Sequence, residues 1–238
     1  MKTVSVDNKY SLMQKSQMNA STANMKKLNH KDHNENPDYW ETLLGDVTKE
    51  PEAWEGKKAL DFGCGCGRNV ENLLKLAEWG KVDGVDISEN NIEYCKSYIR
   101  NMGHIYEGRY DFYANNGIDL RDISDEEYDF VMSTIVFQHI CVHSIRFSLK
   151  SEIFRVLKKG GVFSFQMNYG PANNGARDYH DDHYDAKGTN SMCDTRVDRP
   201  EDIVDDLQKI GFKNITYKIL PSFSCDAVNE WIYVRCEK

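Results

Sequence analysis

Short apolar runs recur along this chain at intervals that leave room for a helix between them. Ala59-Leu60-Asp61-Phe62, Val82-Asp83-Gly84-Val85, Tyr128-Asp129-Phe130-Val131-Met132-Ser133 and Val162-Phe163-Ser164-Phe165-Gln166-Met167 each have the length and β-rich character of a buried strand. Arg109 to Ala114 is a weaker run of the same kind. The intervening segments carry helical spacing. Asn69 to Trp79 is amphipathic, Ile92, Cys95 and Ile99 share one helical face behind Ser88 as a candidate N-cap, and a helix is expected from about His143 to Leu157. Lys158-Lys159-Gly160-Gly161 ends that helix, with cations complementing the dipole and glycines breaking the turn. Pro200 to Ile210 reads as a further helix stopped by Gly211, followed by two strands, Phe212 to Leu220 and Glu230 to Cys236, with no helix between them. Alternating strands and helices predict an α/β fold whose mostly parallel seven-stranded sheet is covered on both faces.

Composition narrows the class without changing this picture. A chain of 238 residues is long enough for one α/β domain with its own core. Its net charge of −8 leaves no electrostatic footprint for nucleic acid, so no nucleic-acid partner is expected. No apolar run suits a bilayer and the N-terminus lacks the apolar segment of a signal peptide, so no membrane partner and a cytoplasmic location are expected. Seven cysteines without metal-finger spacing fit a reducing compartment.

The candidate chemistry sits after the first strand. Lys57 to Val70 runs from strand to glycine loop to helix, with Gly63, Gly65 and Gly67 at alternate positions behind Asp61. Removing Cβ atoms lets backbone approach a ligand, and the following helix offers unpaired N–H groups to a negative charge. The spacing is G-x-G-x-G, not the G-x-G-x-x-G of dinucleotide sites. Asp86 ends the next strand, where a carboxylate can accept from both hydroxyls of a ribose. Glycine loop and acid together resemble class I S-adenosylmethionine (SAM) dependent methyltransferases, strongly over about Trp54 to Met167 and by topology beyond.

The resemblance implies a Rossmann-like three-layer sandwich with a C-terminal antiparallel hairpin, SAM as cofactor and S-adenosylhomocysteine (SAH) as product. It places Asp61, Gly63, Gly65 and Gly67 at the methionine end and Asp86, followed by Ile87, at the ribose. Asn116, Gly117 and Ile118 would flank the adenine, and Ser133 and Thr134 the methyl group. After the fourth strand the chain reads Ser133-Thr134-Ile135-Val136-Phe137-Gln138-His139, without the paired prolines of some amino-group methyltransferases and without a Pro-Cys pair. This departs from enzymes acting on base amines or glutamine and resembles the small-molecule branch. His139 is the first candidate for a general base or for orienting an acceptor hydroxyl; packing or capping is the plainer alternative.

Further candidates compete less well. His139 and His143 stand at a metal-chelating spacing but lack a nearby acid of the zinc-protease type, and His180-Asp181-Asp182-His183 fits a solvated loop better than a divalent-ion site. No metal is expected. Cys64 and Cys66 read as small fillers of the loop. Residues 1–36 are polar and read as a disordered tail or, alternatively, a flap over the ligand; the domain proper is expected over residues 37–238. There Tyr39, Trp40, Leu43 and Leu44 share a helical face. The irregular stretch at about 168–199 has the length of a lid or acceptor-binding insertion. The expected activity is methyl transfer to oxygen or nitrogen of a small-molecule acceptor. A protein or RNA methyltransferase, a non-catalytic SAM-binding protein and an NAD-dependent oxidoreductase remain as alternatives, and the oligomeric state is open.

Overall fold

The computed structural model describes residues 8–28, 37–172, 176–183, 195–222 and 230–238. In chain order the elements are α1 (Asn8–Leu28), α2 (Pro37–Leu44), α3 (Asp46–Lys49), β1 (Lys58–Phe62), α4 (Arg68–Leu76), β2 (Lys81–Asp86), α5 (Glu89–Arg100), β3 (Phe112–Ala114), β4 (Tyr128–Ser133), α6 (His143–Val156), β5 (Leu157–Tyr169), α7 (Pro200–Ile210), β6 (Lys213–Pro221) and β7 (Glu230–Glu237). The seven strands form one sheet in the order β3-β2-β1-β4-β5-β7-β6. β1 to β5 pair in parallel, and β7 is antiparallel to both β5 and β6. The mostly parallel sheet with a closing antiparallel hairpin is therefore present as expected. β3 is shorter than its apolar run, because Tyr110 and Asp111 lie outside the regular ladder. Asp83 Oδ1 accepts the Asp111 amide there at 2.7 Å.

Side chains alternate between the two sheet faces. Leu60, Phe62, Val131 and Phe165 pack with Ile145 and Leu149 of α6 and Ile203 of α7, whereas Val82, Phe130 and Met132 pack with Tyr39 of α2, Leu73 of α4 and Ile92 of α5. Each fully buried aliphatic side chain contributes about 1.5–3 kcal/mol, so the two apolar layers, more than helix propensity, hold the frame. The order of the strands reverses at β1, whose neighbours are β2 and β4. A crevice opens at such a reversal, at the carboxyl ends of the strands.

Of residues 1–36, residues 8–28 form α1; residues 1–7 and 29–36 lie outside the described ones. Its buried side chains, Tyr10, Ser11, Gln14 and Thr22, are mostly polar. Hydrogen bonds tie the helix to both sides of the crevice. Gln14 Nε2 donates to the His139 carbonyl at 2.6 Å and the Cys141 amide donates to Tyr10 Oη at 2.8 Å. On the other side, Ser88 Oγ donates to Asn19 Oδ1 at 2.8 Å.

The described parts of the stretch at 168–199 pack against the start of α6. The Thr195 amide donates to the Gln138 carbonyl at 2.9 Å, and Asp182 Oδ1 accepts the Ser144 amide at 2.7 Å. Beneath them Lys150, Tyr179 and Asp206 are buried together. Lys150 Nζ donates to the Tyr179 hydroxyl, which donates to Asp206 Oδ2 at 2.6 Å. Among the described residues no helix is long and apolar enough to cross a membrane.

Candidate active site

A cavity of about 380 Å³ occupies the crevice, with walls from α1, the loop after β1, the ends of β2 and β3 and the segment after β4. The glycine loop forms its floor. Gly63, Gly65 and Gly67 have φ of 77°, 53° and 90°, a region costly for residues with a Cβ. At Gly63 the restriction is also steric, since a Cβ would lie 2.3 Å from Val136 Cγ2. The loop and the segment after β4 are thus pressed together, and the sequence meets that approach with glycine.

Two carboxylates lie beside the loop. Asp86 Oδ2 accepts the Gly65 amide at 2.9 Å, while Asp86 Oδ1 accepts the Ser88 amide at 2.8 Å and Asn91 Nδ2 at 3.2 Å. Burial raises its pKa to about 6 despite these donors. Asp61 is fully buried beneath the loop; Asn69 Nδ2 reaches its Oδ1 at 3.5 Å, and Oδ2 has no partner among the described residues. Burial pushes its pKa up to about 7, with Asn69 and Arg68 opposing. A buried carboxylate oxygen without a donor is costly, and a bound cation or ammonium would relieve it.

The expected site residues separate into two groups. Gly63, Gly65, Asp86, Ile87, Gly117, Thr134 and His139 line the cavity. Asp61, Gly67, Asn116, Ile118 and Ser133 do not. Gly67 caps α4, and Ser133 Oγ donates to the Phe62 carbonyl at 2.9 Å, joining β4 to β1. Asn116 lies in a separate surface pocket, where its Oδ1 accepts the Ile118 and Asp119 amides at 2.8 and 2.9 Å. Its neighbour Asn115 reaches the cavity wall instead. A one-residue offset after a strand changes which side chain points inward, so Asn115, which touches both pockets, borders this cavity and Asn116 does not.

Sequence reasoning also missed Arg68 and Asn69. Both stand in the first turn of α4 and line the cavity, and Asn69 Nδ2 donates to Thr134 Oγ1 at 2.9 Å. Their position immediately after Gly67 was the available signal. Gln14, Met18, Ser21 and Asn24 of α1 complete the wall; nothing in the apolar pattern pointed to them.

Ile135 is the strained member of the site. Its φ of 57° is an outlier for a β-branched residue. Gln166 Oε1 accepts the Ile135 amide at 2.8 Å.

Of the histidine candidates, His139 stands apart, whereas the His143 and His180 rings meet with centroids 4.9 Å apart. His139 ends a short 3-10 turn, His143 begins α6 with Nε2 2.9 Å from Asp206 Oδ2, and His180 Nε2 faces Asp202 Oδ1 at 3.3 Å. Among the described residues no three His, Cys, Asp or Glu side chains converge as metal ligands. Cys64 and Cys66 are buried, and burial holds the Cys64 thiol well above its ordinary range, as for inert fillers.

Strand order, glycine loop and the two buried acids have the arrangement of a class I SAM-dependent methyltransferase domain. Residues 60–165 match the family described as "Methyltransferase domain", and over them the chain is similar to the class I SAM-dependent methyltransferases. It is similar to arsenite methyltransferase of Mus musculus, 33% identical over 129 residues that cover 50% of this chain and 32% of that one. It is also similar to demethylmenaquinone methyltransferase of Staphylococcus saprophyticus, 36% identical over 117 residues, 49% of this chain and 46% of that one. The chain thus spans about a third to a half of the length of these curated relatives. In fold it resembles phosphoethanolamine N-methyltransferase 2 of Haemonchus contortus, solved with SAM, with a TM-score of 0.69 and 16% identity over 94% of this chain and 60% of that one.

Proposed function

We propose that this chain transfers a methyl group from SAM to an oxygen or nitrogen of a small-molecule acceptor. The reading is carried by one juxtaposition: Asp86, the loop over Asp61, Thr134 and His139 all border a single cavity. The residues fit the cofactor chemically. The orphaned Asp61 oxygen suits the methionine ammonium, the Asp86 carboxylate suits ribose hydroxyls, and Asn115, Gly117 and Ile87 suit the adenine edge. In this reading Gly63, Gly65, Asp86 and Ile87 border the cofactor, Asp61 and Gly67 lie behind the loop, Asn115 joins them, and Ser133 acts by joining strands.

When bound, SAM supplies a methyl group already activated on a positive sulfur. What remains for the protein is alignment and exclusion of water. Asn69 holds the Thr134 hydroxyl in place, and Gln166 holds Ile135 in its left-handed conformation. Gln14 donates to the His139 carbonyl, and in this reading the His139 imidazole at the cavity wall orients an acceptor hydroxyl and takes its proton. A 380 Å³ volume lies within the ~300–1,000 Å³ range of small-molecule sites. The relatives' names, arsenite and demethylmenaquinone methyltransferase, support a small acceptor. The described parts of the stretch at about 168–199 reach this side, since the Thr195 amide donates to the carbonyl one residue before His139.

The test is incubation with methyl-labelled SAM and three acceptor sets: arsenite, phenols and quinols, and small amines. Label on oxygen or nitrogen of an acceptor, abolished by a cavity substitution at Thr134, supports the reading; label on arsenic or carbon keeps the small acceptor and overturns the acceptor atom. Label appearing only in protein or RNA from an added extract contradicts it.

A further inference from the structure

Helix α1 does more than roof the cavity, because its polar side chains lead to the carboxylate assigned to the ribose. Asp86 Oδ1 takes two donors, the Ser88 amide and Asn91 Nδ2. Each of those residues is itself held by α1. Ser88 Oγ donates to Asn19 Oδ1 at 2.8 Å, and Thr22 Oγ1 donates to Asn91 Oδ1 at 2.8 Å. Ser88, Asn91, Thr22 and Asp86 are all buried.

The Asn91 contact has a directional consequence. A carboxamide has one accepting end and one donating end. With Thr22 donating to its oxygen, Asn91 presents its NH₂ to Asp86; turned the other way, it would set oxygen against a carboxylate. The Thr22 hydroxyl has alternatives within its own helix, the Asn19 and Met18 carbonyls at 3.2 and 3.4 Å, but the Asn91 contact is the shortest. Away from the body of the protein the hydroxyl turns back to those carbonyls, and Asn91 Oδ1 keeps only the weaker Cys66 thiol donor at 3.8 Å.

We propose that Thr22 is a positioning residue for the Asp86 carboxylate, acting through Asn91, so that docking of α1 and occupation of the cavity strengthen one another. The inference rests on the reading of the cavity as a SAM site. By linkage, any factor by which docked α1 raises ligand affinity is the factor by which ligand raises docking. The opposite end of the helix makes this a two-point clamp, since Gln14 and Tyr10 hold the His139 to Cys141 segment at the acceptor side. Cofactor binding therefore firms the acceptor side before the acceptor arrives.

The test uses the full chain and SAH as probe, with calorimetry and amide hydrogen exchange. Thr22→Val keeps the shape and removes the hydroxyl; it should weaken SAH binding about tenfold, the effect of stranding one buried polar partner. Thr22→Ser restores the hydroxyl and should bind within about twofold of wild type. In an Asn91→Ala background, Thr22→Val should add no further loss. SAH should slow exchange across α1 in wild type and markedly less in Thr22→Val. Unchanged SAH affinity in Thr22→Val, or additive losses with Asn91→Ala, overturns the coupling while leaving the SAM site standing. A wild-type chain that binds no SAH overturns the site reading and the coupling together.

Discussion

The Gln166 side-chain carbonyl accepts the Ile135 amide at 2.8 Å, and Ile135 holds a left-handed φ of 57° at the cavity wall. Strain of this kind costs on the order of 1–3 kcal/mol and persists only where surroundings impose it. Gln166, fully buried on β5, is the group that imposes it. Replacing Gln166 by Leu strands the Ile135 amide and should lower unfolding free energy by about 1–3 kcal/mol. Urea denaturation checks this, and a midpoint at the wild-type value would assign the bond no holding role.

Gly63→Ala tests the close approach in the loop. The new Cβ would meet Val136 at 2.3 Å on a backbone with φ of 77°. Overpacking and left-handed strain together predict a loss of about 2–4 kcal/mol. Adding Val136→Ala should recover the steric part and leave the strain, so the double variant melts between Gly63→Ala and wild type.

Much of this frame is legible in the chain, for identifiable reasons. Strands buried on both faces leave apolar runs, and the glycine loop must leave glycines, so β1, β2, β4, β5 and β7 stand out, while the mostly exposed β6 is marked by its place after the Gly211 helix stop. Helix α1 leaves no such trace. Its buried positions are Gln14, Thr22 and Ser11 beside a single Tyr10, and hydrogen bonding has no hydrophobic period. The site divides similarly. Asp86 is fixed by its place at a strand end, whereas Asn115 and Asn116 are adjacent polar residues in a loop, and only the backbone turn at Gly117 decides which faces inward.

The two buried acids give a pH prediction. Asp61 and Asp86 are pushed up from an ordinary value near 4 to about 7 and about 6. A carboxyl with a raised folded pKa binds more protons folded than unfolded. Its favourable contribution is complete below pH ~4 and declines as pH rises through the folded value. For these groups the ligand-free protein therefore loses stability between about pH 4 and 7. A ligand whose ammonium and hydroxyls require both carboxylates ionised must displace those protons. SAH binding at pH 6 should release protons, seen as a heat that varies with buffer ionisation enthalpy, and at pH 8.5 it should release almost none. Equal heats in all buffers at pH 6 contradict this.

The buried cluster under the insertion responds in the opposite sense. His143, Lys150 and Tyr179 hold Asp206 down to about 2 against its burial. A lowered carboxyl pKa stabilises above pH ~4, and that contribution is lost as pH falls toward 2. Asp206→Ala leaves Lys150 buried without its acid and should cost about 3–5 kcal/mol. The apolar pair Lys150→Met with Asp206→Leu should cost less than the single change. A double variant less stable than Asp206→Ala would place the value of the cluster elsewhere.

The central claim is that the crevice beside β1 binds SAM through Asp86, and calorimetry with SAH on wild type and Asp86→Ala tests it most directly. The account predicts micromolar or tighter binding to wild type and a loss of about a hundredfold or more in the variant, as expected when a buried charged acceptor is removed. Absent binding to wild type, or equal affinity in both proteins, would contradict it.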